Sequence, residues 1–170
     1  MSTLALRTLF ILALLFGTVG IVMVMNETRE EVSDLERLAN ILLLDDQGSE
    51  TSLGDFAGRA LVVNSWAVWC PFCKKELPDL VQLQADFPEI VVIAIDRAET
   101  IEKTRAYTDE LGISDRMTFF LDERDDFYQT IGGFSMPETI FIDASGDIVY
   151  HKRGPMTLED MRAAVEEYLK

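Results

Sequence analysis

Two cysteines separated by two residues are the side chains in this sequence that are best suited to carry out a reaction. Cys70 and Cys73 are the only cysteines among 170 residues, and Pro71 and Phe72 lie between them. Two intervening residues let the sulfurs reach each other across one helical turn, so that the pair can alternate between a dithiol and a disulfide. With His151 as the only histidine, the sequence lacks a set of four Cys/His zinc ligands. We therefore expect thiol–disulfide exchange, without a metal or other cofactor.

The elements around the motif assign different roles to the two cysteines. The continuous β-branched and aromatic run at 60–66 is typical of a central strand, and a helix is expected over 71–87. Cys70 would lie at the exposed N-terminus of that helix, where backbone N–H groups stabilise a thiolate. We expect Cys70 to attack and Cys73, one turn inside and more protected, to resolve the mixed disulfide. Two inert core cysteines would not explain Pro71 at such a junction.

The chain after residue 40 alternates between strands and amphipathic helices, which predicts one α/β domain over 41–170. The unit from 60 to 96 is expected to be a parallel, right-handed strand–helix–strand. Further strands are predicted at 41–44, 117–121, 139–143 and 147–152, the last two as a hairpin. Further helices are predicted at 100–112, ended by Gly112, at 124–132, and at 157–170 with Thr157 as N-cap.

An uncharged apolar run of 18 residues, 8–25, precedes this domain. As a helix it would span ~27 Å, close to the ~30 Å hydrocarbon core of a bilayer. Arg7 precedes it and Glu27, Glu30 and Glu31 follow, which places the N-terminus in the cytoplasm. A cleaved signal peptide is the alternative, but no A-x-A-like site lies near Asn26. We predict a transmembrane anchor over 1–25 in the inner (cytoplasmic) membrane, with the catalytic domain periplasmic or otherwise extracytoplasmic.

The charge outside the anchor is strongly acidic. Residues 26–170 hold 14 basic and all 30 acidic side chains, a formal charge of −16. Nucleic acid is therefore not expected as a partner, because phosphate binding relies on clustered Lys and Arg. Residues 26–40 resemble a polar helix with Asn26 as N-cap, which would act as a stalk. A linker without fixed structure is the alternative for that segment.

The residues around the cysteines resemble the thioredoxin-like proteins, and among them the membrane-anchored reductases of the extracytoplasmic compartment. The match covers 41–170. It rests on the cysteine motif, on Pro78 within the first helix, and on three segments: 53–58, 63–69 and Met136-Pro137. Residues 97–121 are similar to the helix–strand insertion of the anchored branch. The resemblance implies a thioredoxin-like fold with a central mixed sheet flanked by helices.

Within that branch, the segments 73–76 and 137–143 are most similar to the thiol reductases of cytochrome c maturation. The resemblance implies disulfide-containing protein substrates such as apocytochrome c, and a membrane thiol donor that recharges the pair. It also implies that Pro137 is cis and lines the groove where the partner docks. The implied frame of that groove and of the active site is Trp69, Pro71, Phe72, Met136 and Pro137.

Three polar residues are further candidates. Asn64 stands where plain thioredoxin has a buried aspartate, so that proton carrier is absent. Glu76, one turn after Cys73, is a candidate to accept the cysteine's proton instead, the alternative being that it complements the helix N-terminus. Glu138 has two interpretations, an exposed solubilising carboxylate or a group that tunes Cys70 or contacts the partner. His151 is expected to be a strand-face residue.

Other functions stay open beside the reductase. A disulfide-forming oxidant would use the same atoms. A thiol peroxidase would want a threonine three residues before the reactive cysteine, where this chain has Ala67. A tethered, non-enzymatic binding module would have no use for both cysteines in an active-site frame.

Overall fold

In the computed structural model, which describes residues 32–170, a seven-stranded mixed β-sheet carries helices on both faces. The strands are β1 (Leu43–Leu44), β2 (Glu50–Thr51), β3 (Leu61–Trp66), β4 (Val91–Arg97), β5 (Thr118–Asp122), β6 (Glu138–Ile142) and β7 (Ile148–Arg153). The α-helices are α1 (Asp34–Ala39), α2 (Pro71–Asp86), α3 (Ile101–Leu111), α4 (Asp126–Thr130) and α5 (Leu158–Tyr168), and a short 3-10 helix spans Leu53–Phe56. The predicted α/β class with a mixed sheet is confirmed.

The strand that leads to the cysteines is held on both sides. The sheet order is β2-β1-β5-β4-β3-β6-β7, and β3 pairs in parallel with β4 and antiparallel with β6. The predicted parallel unit around α2 and the predicted β6–β7 hairpin are both present. The segment containing α3 and β5 adds another parallel strand beside β4. The end of β3 is therefore a fixed point of the sheet.

Both faces of the central strands are covered, because alternate residues enter two apolar cores. One core contains the two cysteines together with Leu77 of α2 and Met161 of α5. The other contains Leu38 of α1 and Phe127 of α4. All six residues of β3 are buried, which explains its uninterrupted run of strand-forming residues.

Local capping sets the ends of the helices as the sequence predicted. α3 ends at Gly112, whose φ of 68° lies in the left-handed region that favours glycine. α5 begins after Thr157, whose hydroxyl accepts the N–H of Asp160 at 3.2 Å. α2 begins with Pro71 at its first position, where a missing N–H costs nothing, and Pro78 lies inside the same helix.

α1 belongs to the folded unit, which begins at Ser33 rather than at residue 41. Ser33 and Glu36 form a reciprocal capping box at its start. The N–H of Leu35 donates to the carbonyl of Gly146 at 2.8 Å, and Leu38 is only 2% exposed. This part of the segment expected to be a stalk therefore packs on the sheet.

The predicted membrane anchor and the predicted cap at Asn26 lie outside the described residues. Between residues 32 and 170, no helix combines the length and the apolar character needed to cross a membrane. The anchor therefore stays a prediction from the sequence.

Packing of α1 can be tested with two leucines that lie close together in the sequence. Leu38→Ala should lower the free energy of unfolding by about 2–5 kcal/mol, because it leaves a cavity in the core. Leu42→Ala is the matched control, because Leu42 is 44% exposed, and it should cost about 0.5 kcal/mol or less. Urea denaturation followed by circular dichroism measures both, and equal effects would contradict the docking of α1.

Candidate active site

Cys70 lies at the junction between β3 and α2, as the sequence predicted. Its N–H donates to the carbonyl of Ala67 at 3.0 Å, which turns the chain from strand into helix. Cys70 is the N-cap of α2, and its Sγ accepts the N–H of Cys73 at 3.1 Å. A disulfide joins the two cysteines across the first turn, with their Cα atoms 5.3 Å apart. The pair is thus placed for reversible exchange.

Both cysteines are buried in this disulfide form, so the expectation of an exposed Cys70 is wrong. Cys70 is 2% and Cys73 1% exposed, because both pack into the core that includes Trp66 and Leu77. Hydrogen bonding still distinguishes them, since Cys70 is the cysteine whose sulfur receives a helix N–H. The helix N-terminus therefore favours a thiolate on Cys70.

Large apolar side chains are exposed beside the cysteines. Trp69 and Phe72 flank Cys70 and are 63% and 55% exposed, and Pro71 between them is exposed as well. Phe134, at 86%, is the most exposed of the large apolar side chains described. Exposed apolar groups beside a reactive site are typical of a surface that binds another protein.

The loop before β6 lies at the end of the sheet where β3 leads into the cysteine turn, because Ser65 near the end of β3 pairs with Glu138, the first residue of β6. Residues 133–137, here termed the cis-proline loop, include Phe134 and end with a cis Met136–Pro137 bond, as the resemblance implied. Met136 is half-buried and packs against the core that holds both cysteines, while Pro137 is buried. The carbonyl of Pro137 accepts the N–H of Gly154 at 2.9 Å. Met136 therefore packs against the core that contains the cysteines, and Pro137 precedes β6 at the same end of the sheet.

A buried polar cluster lies on the cysteine-bearing face of the sheet. Asn64 of β3 donates through Nδ2 to the hydroxyl of Thr139 at 2.9 Å and to Oε1 of Glu76 at 3.4 Å. Oε2 of Glu76 has no hydrogen-bond partner within residues 32–170. Burial raises the pKa of Glu76 to about 7, with nearby Asp79 adding to the effect. A carboxyl group that is about half ionised at neutral pH therefore lies one turn along α2 from Cys73.

Glu138 is fully buried, so its interpretation as an exposed solubilising carboxylate is wrong. Oε1 accepts the N–H groups of Phe134, at 2.6 Å, and Ser135. Oε2 lies 2.7 Å from Nε2 of His151, and Nε of Arg153 lies 3.9 Å from Oε1. Glu138 is therefore bonded to the cis-proline loop, and His151 is its partner on β7.

The lysine next to the disulfide is directed toward α3. Nζ of Lys74 lies 3.1 Å from Oε1 of Glu110 and 5.6 Å from the centre of the Tyr107 ring. The hydrogen bond to Glu110 raises the pKa of Lys74. Glu110 therefore compensates the positive charge of Lys74, the residue that follows Cys73.

Sequence reasoning missed two residues of the site, Phe134 and Thr139. Phe134 follows Gly132-Gly133 and precedes Met136-Pro137, so its place in a loop beside the motif was a usable signal. Thr139 gave no signal of its own, because its role comes from its register opposite Asn64. Among residues 32–170, no group of three or more Cys, His, Asp and Glu side chains is arranged to hold a metal ion.

Comparison with known proteins agrees with this geometry. Residues 28–169 match the Redoxin family. The thiol-disulfide oxidoreductase ResA of Bacillus thuringiensis subsp. konkukian is 29% identical over 164 residues, which cover 94% of this chain and 91% of that protein. The ResA of Halalkalibacterium halodurans is 28% identical over 137 residues, which cover 79% and 74%.

Solved structures share the fold. A thiol:disulfide interchange protein of the thioredoxin family from Chlorobium tepidum is 26% identical, with a TM-score of 0.64 over 75% of this chain and 91% of that one. A secreted Mycobacterium tuberculosis disulfide oxidoreductase is 21% identical, with a TM-score of 0.69 over 78% and 98%. The chain described here therefore belongs to the Redoxin family and has a thioredoxin-like fold.

Proposed function

We propose that this chain is a protein-disulfide oxidoreductase that reduces disulfides of exported proteins such as apocytochrome c. One observation carries the proposal: a disulfide joins Cys70, the N-cap of α2, to Cys73, and the cis-proline loop lies at the same end of the sheet. Relatives named thiol-disulfide oxidoreductase support the reaction class. The cytochrome c substrate rests on the resemblance of segments 73–76 and 137–143.

The first step is attack on the partner's disulfide by the reduced enzyme. The thiolate of Cys70, stabilised by the N–H of Cys73, bonds to one sulfur of the partner. The partner's S–S bond breaks, and its other sulfur leaves as a thiolate that takes a proton from solvent. Cys70 and the partner are then joined in a mixed disulfide.

The second step releases the partner, and Glu76 is the group we assign to it. The Glu76 carboxylate accepts the proton of Cys73, directly or through water. The Cys73 thiolate attacks Sγ of Cys70, the mixed disulfide breaks, and the partner's second sulfur leaves as a thiolate. Two electrons pass from the enzyme dithiol to the partner, and the enzyme ends as the disulfide.

The exposed apolar rim provides the docking surface in this proposal. Trp69, Phe72 and Phe134 contact the partner's segment, while Pro71, Met136 and Pro137 shape the groove that admits its cysteine. Aromatic side chains supply large contact area with few rotatable bonds, which favours protein partners over small polar disulfides.

A reductant outside the cytoplasm has to be recharged. We assign that role to a membrane thiol donor, which reduces the Cys70–Cys73 disulfide after each turnover. An anchor formed by residues 1–25 would keep donor and enzyme in one membrane, with the domain on the extracytoplasmic side. No observation favours a peroxidase, whose site would want a threonine where the buried Ala67 lies.

Trapping tests the attacking and resolving roles. Cys73→Ser in the full-length protein should accumulate mixed disulfides between Cys70 and exported proteins, because the resolving thiol is missing. Non-reducing electrophoresis with mass spectrometry identifies the adducts, and Cys70→Ser is the matched control. Equal or greater trapping by Cys70→Ser would reverse the assignment.

The role of Glu76 predicts a pH dependence for the resolving step. In the reduced protein, Cys70 releases one thionitrobenzoate from Ellman's reagent, and attack by Cys73 releases the second. Glu76 can accept a proton only when ionised, so the second phase should accelerate as pH rises through about 7. Glu76→Gln should slow that phase about a hundredfold at neutral pH and move its midpoint toward the ordinary thiol value of ~8.5.

The first phase should be nearly unchanged in Glu76→Gln, which separates proton transfer from attack. Glu89→Gln is the matched control, because Glu89 is an exposed carboxylate beyond the far end of α2. A second phase with the same midpoint and rate in Glu76→Gln would exclude Glu76 as the proton acceptor.

A further inference from the structure

The cis-proline loop is fixed from the sheet face opposite the cysteines. Thr139 faces the Asn64–Glu76 cluster, and neighbouring residues of a strand point to opposite faces, so Glu138 lies on the other side. Glu138 and Tyr128 contact residues 133–135 from that side of the sheet. The loop's exposed Phe134 and half-buried Met136 therefore project from a supported backbone.

Glu138 forms the first attachment. Its side chain is 0% exposed, and Oε1 accepts the N–H groups of two consecutive loop residues, Phe134 and Ser135. Oε2 pairs with His151, and Arg153 lies next to Oε1. A buried carboxylate is costly unless all of its oxygens are paired. The loop has to keep its two N–H groups on Oε1 for Glu138 to stay buried at low cost.

Tyr128 of α4 forms the second attachment. Its hydroxyl donates to the carbonyl of Ser135 at 2.8 Å. Its ring lies beneath Gly133, where an added Cβ would approach ring carbons to 2.5 Å, so glycine is needed for this contact. The guanidinium of Arg97 lies 3.6 Å from the ring centre, and its Nε donates to Asp125 at 2.8 Å. Tyr128 is thereby fixed to the end of β4.

We propose that Glu138 and Tyr128 are positioning residues, which hold the cis-proline loop in the conformation that docks a partner protein. This inference rests on the proposed function. A loop that is already ordered does not lose conformational entropy when the partner binds, so affinity for an extended protein segment is higher. A small disulfide touches the sulfurs and little of the loop. The two carboxylates near the disulfide thus differ: Glu76 acts on a proton, and Glu138 acts on backbone position.

The proposal predicts a loss that depends on the substrate. In the full-length protein, Glu138→Ala should lower kcat/KM for a protein disulfide such as insulin about tenfold, mainly through KM. The rate of Cys70 with Ellman's reagent and the equilibrium with glutathione should stay within about twofold. Glu138→Gln should restore most of the loss, because an amide oxygen still accepts both N–H groups.

Two other variants complete the test. Tyr128→Phe keeps the ring and removes the bond to Ser135, so it should give a smaller loss, about threefold, again only with the protein substrate. Asp143→Ala is the matched control, because Asp143 accepts N–H groups of Ser145, Gly146 and Asp147 at the opposite end of the same hairpin. It should leave the ratio of protein to small-disulfide reduction unchanged.

The outcomes separate this proposal from the one it rests on. A wild-type protein that does not reduce protein disulfides would defeat the proposed function. An active wild type with Glu138→Ala equally active on insulin, or equally impaired on both substrates, would overturn the positioning role. A shifted glutathione equilibrium in both Glu138→Gln and Glu138→Ala would show that the charge of Glu138 acts on Cys70 instead. If Glu138→Ala does not fold, Tyr128→Phe gives the decision: a loss with insulin alone supports the positioning role, and no loss or an equal loss with both substrates overturns it.

Discussion

The hydrogen bond from the N–H of Cys73 to Sγ of Cys70 depends on one constraint, that α2 starts at the residue where the active-site turn ends. β3 is buried on both faces and paired on both edges, which fixes the start of the turn. Pro71 has no N–H to satisfy at the first helical position, which favours the helix start. The sheet and the helix together therefore aim a backbone dipole at the sulfur that carries the negative charge.

The two carboxylates near this centre differ because their environments differ. Glu76 lies on the cysteine face, and within residues 32–170 one of its oxygens has no partner, so burial holds its pKa near 7. Both oxygens of Glu138 are occupied, by two N–H groups and by His151. An unpaired oxygen leaves a group free to exchange a proton, whereas a paired one is used for structure. Adjacent residues of β6 face opposite sides of the sheet. Thr139 contacts the Asn64–Glu76 cluster on the cysteine side, and Glu138 lies on the other side.

Local patterns predicted most of the fold, and long-range contacts account for what they missed. The run at 60–66, the stop at Gly112 and the cap at Thr157 are properties of short segments, and each was correct. The burial of Glu138 depends on how the preceding loop folds back onto it, which no spacing shows. Likewise, the docking of α1 requires Leu35 to meet Gly146, far along the chain. The disulfide motif was predictable because its geometry lies within one helical turn.

Reduction of partner disulfides is the direction we propose for the Cys70–Cys73 pair. One helix N–H stabilises Cys70, while Glu76 lies nearby and Lys74 is paired with Glu110, so the thiolate receives only moderate stabilisation. Equilibration of the full-length protein with glutathione buffers measures the outcome directly. A reduction potential close to the reductant value of about −270 mV is predicted, and one close to about −120 mV, that of a strong oxidant, would contradict the account.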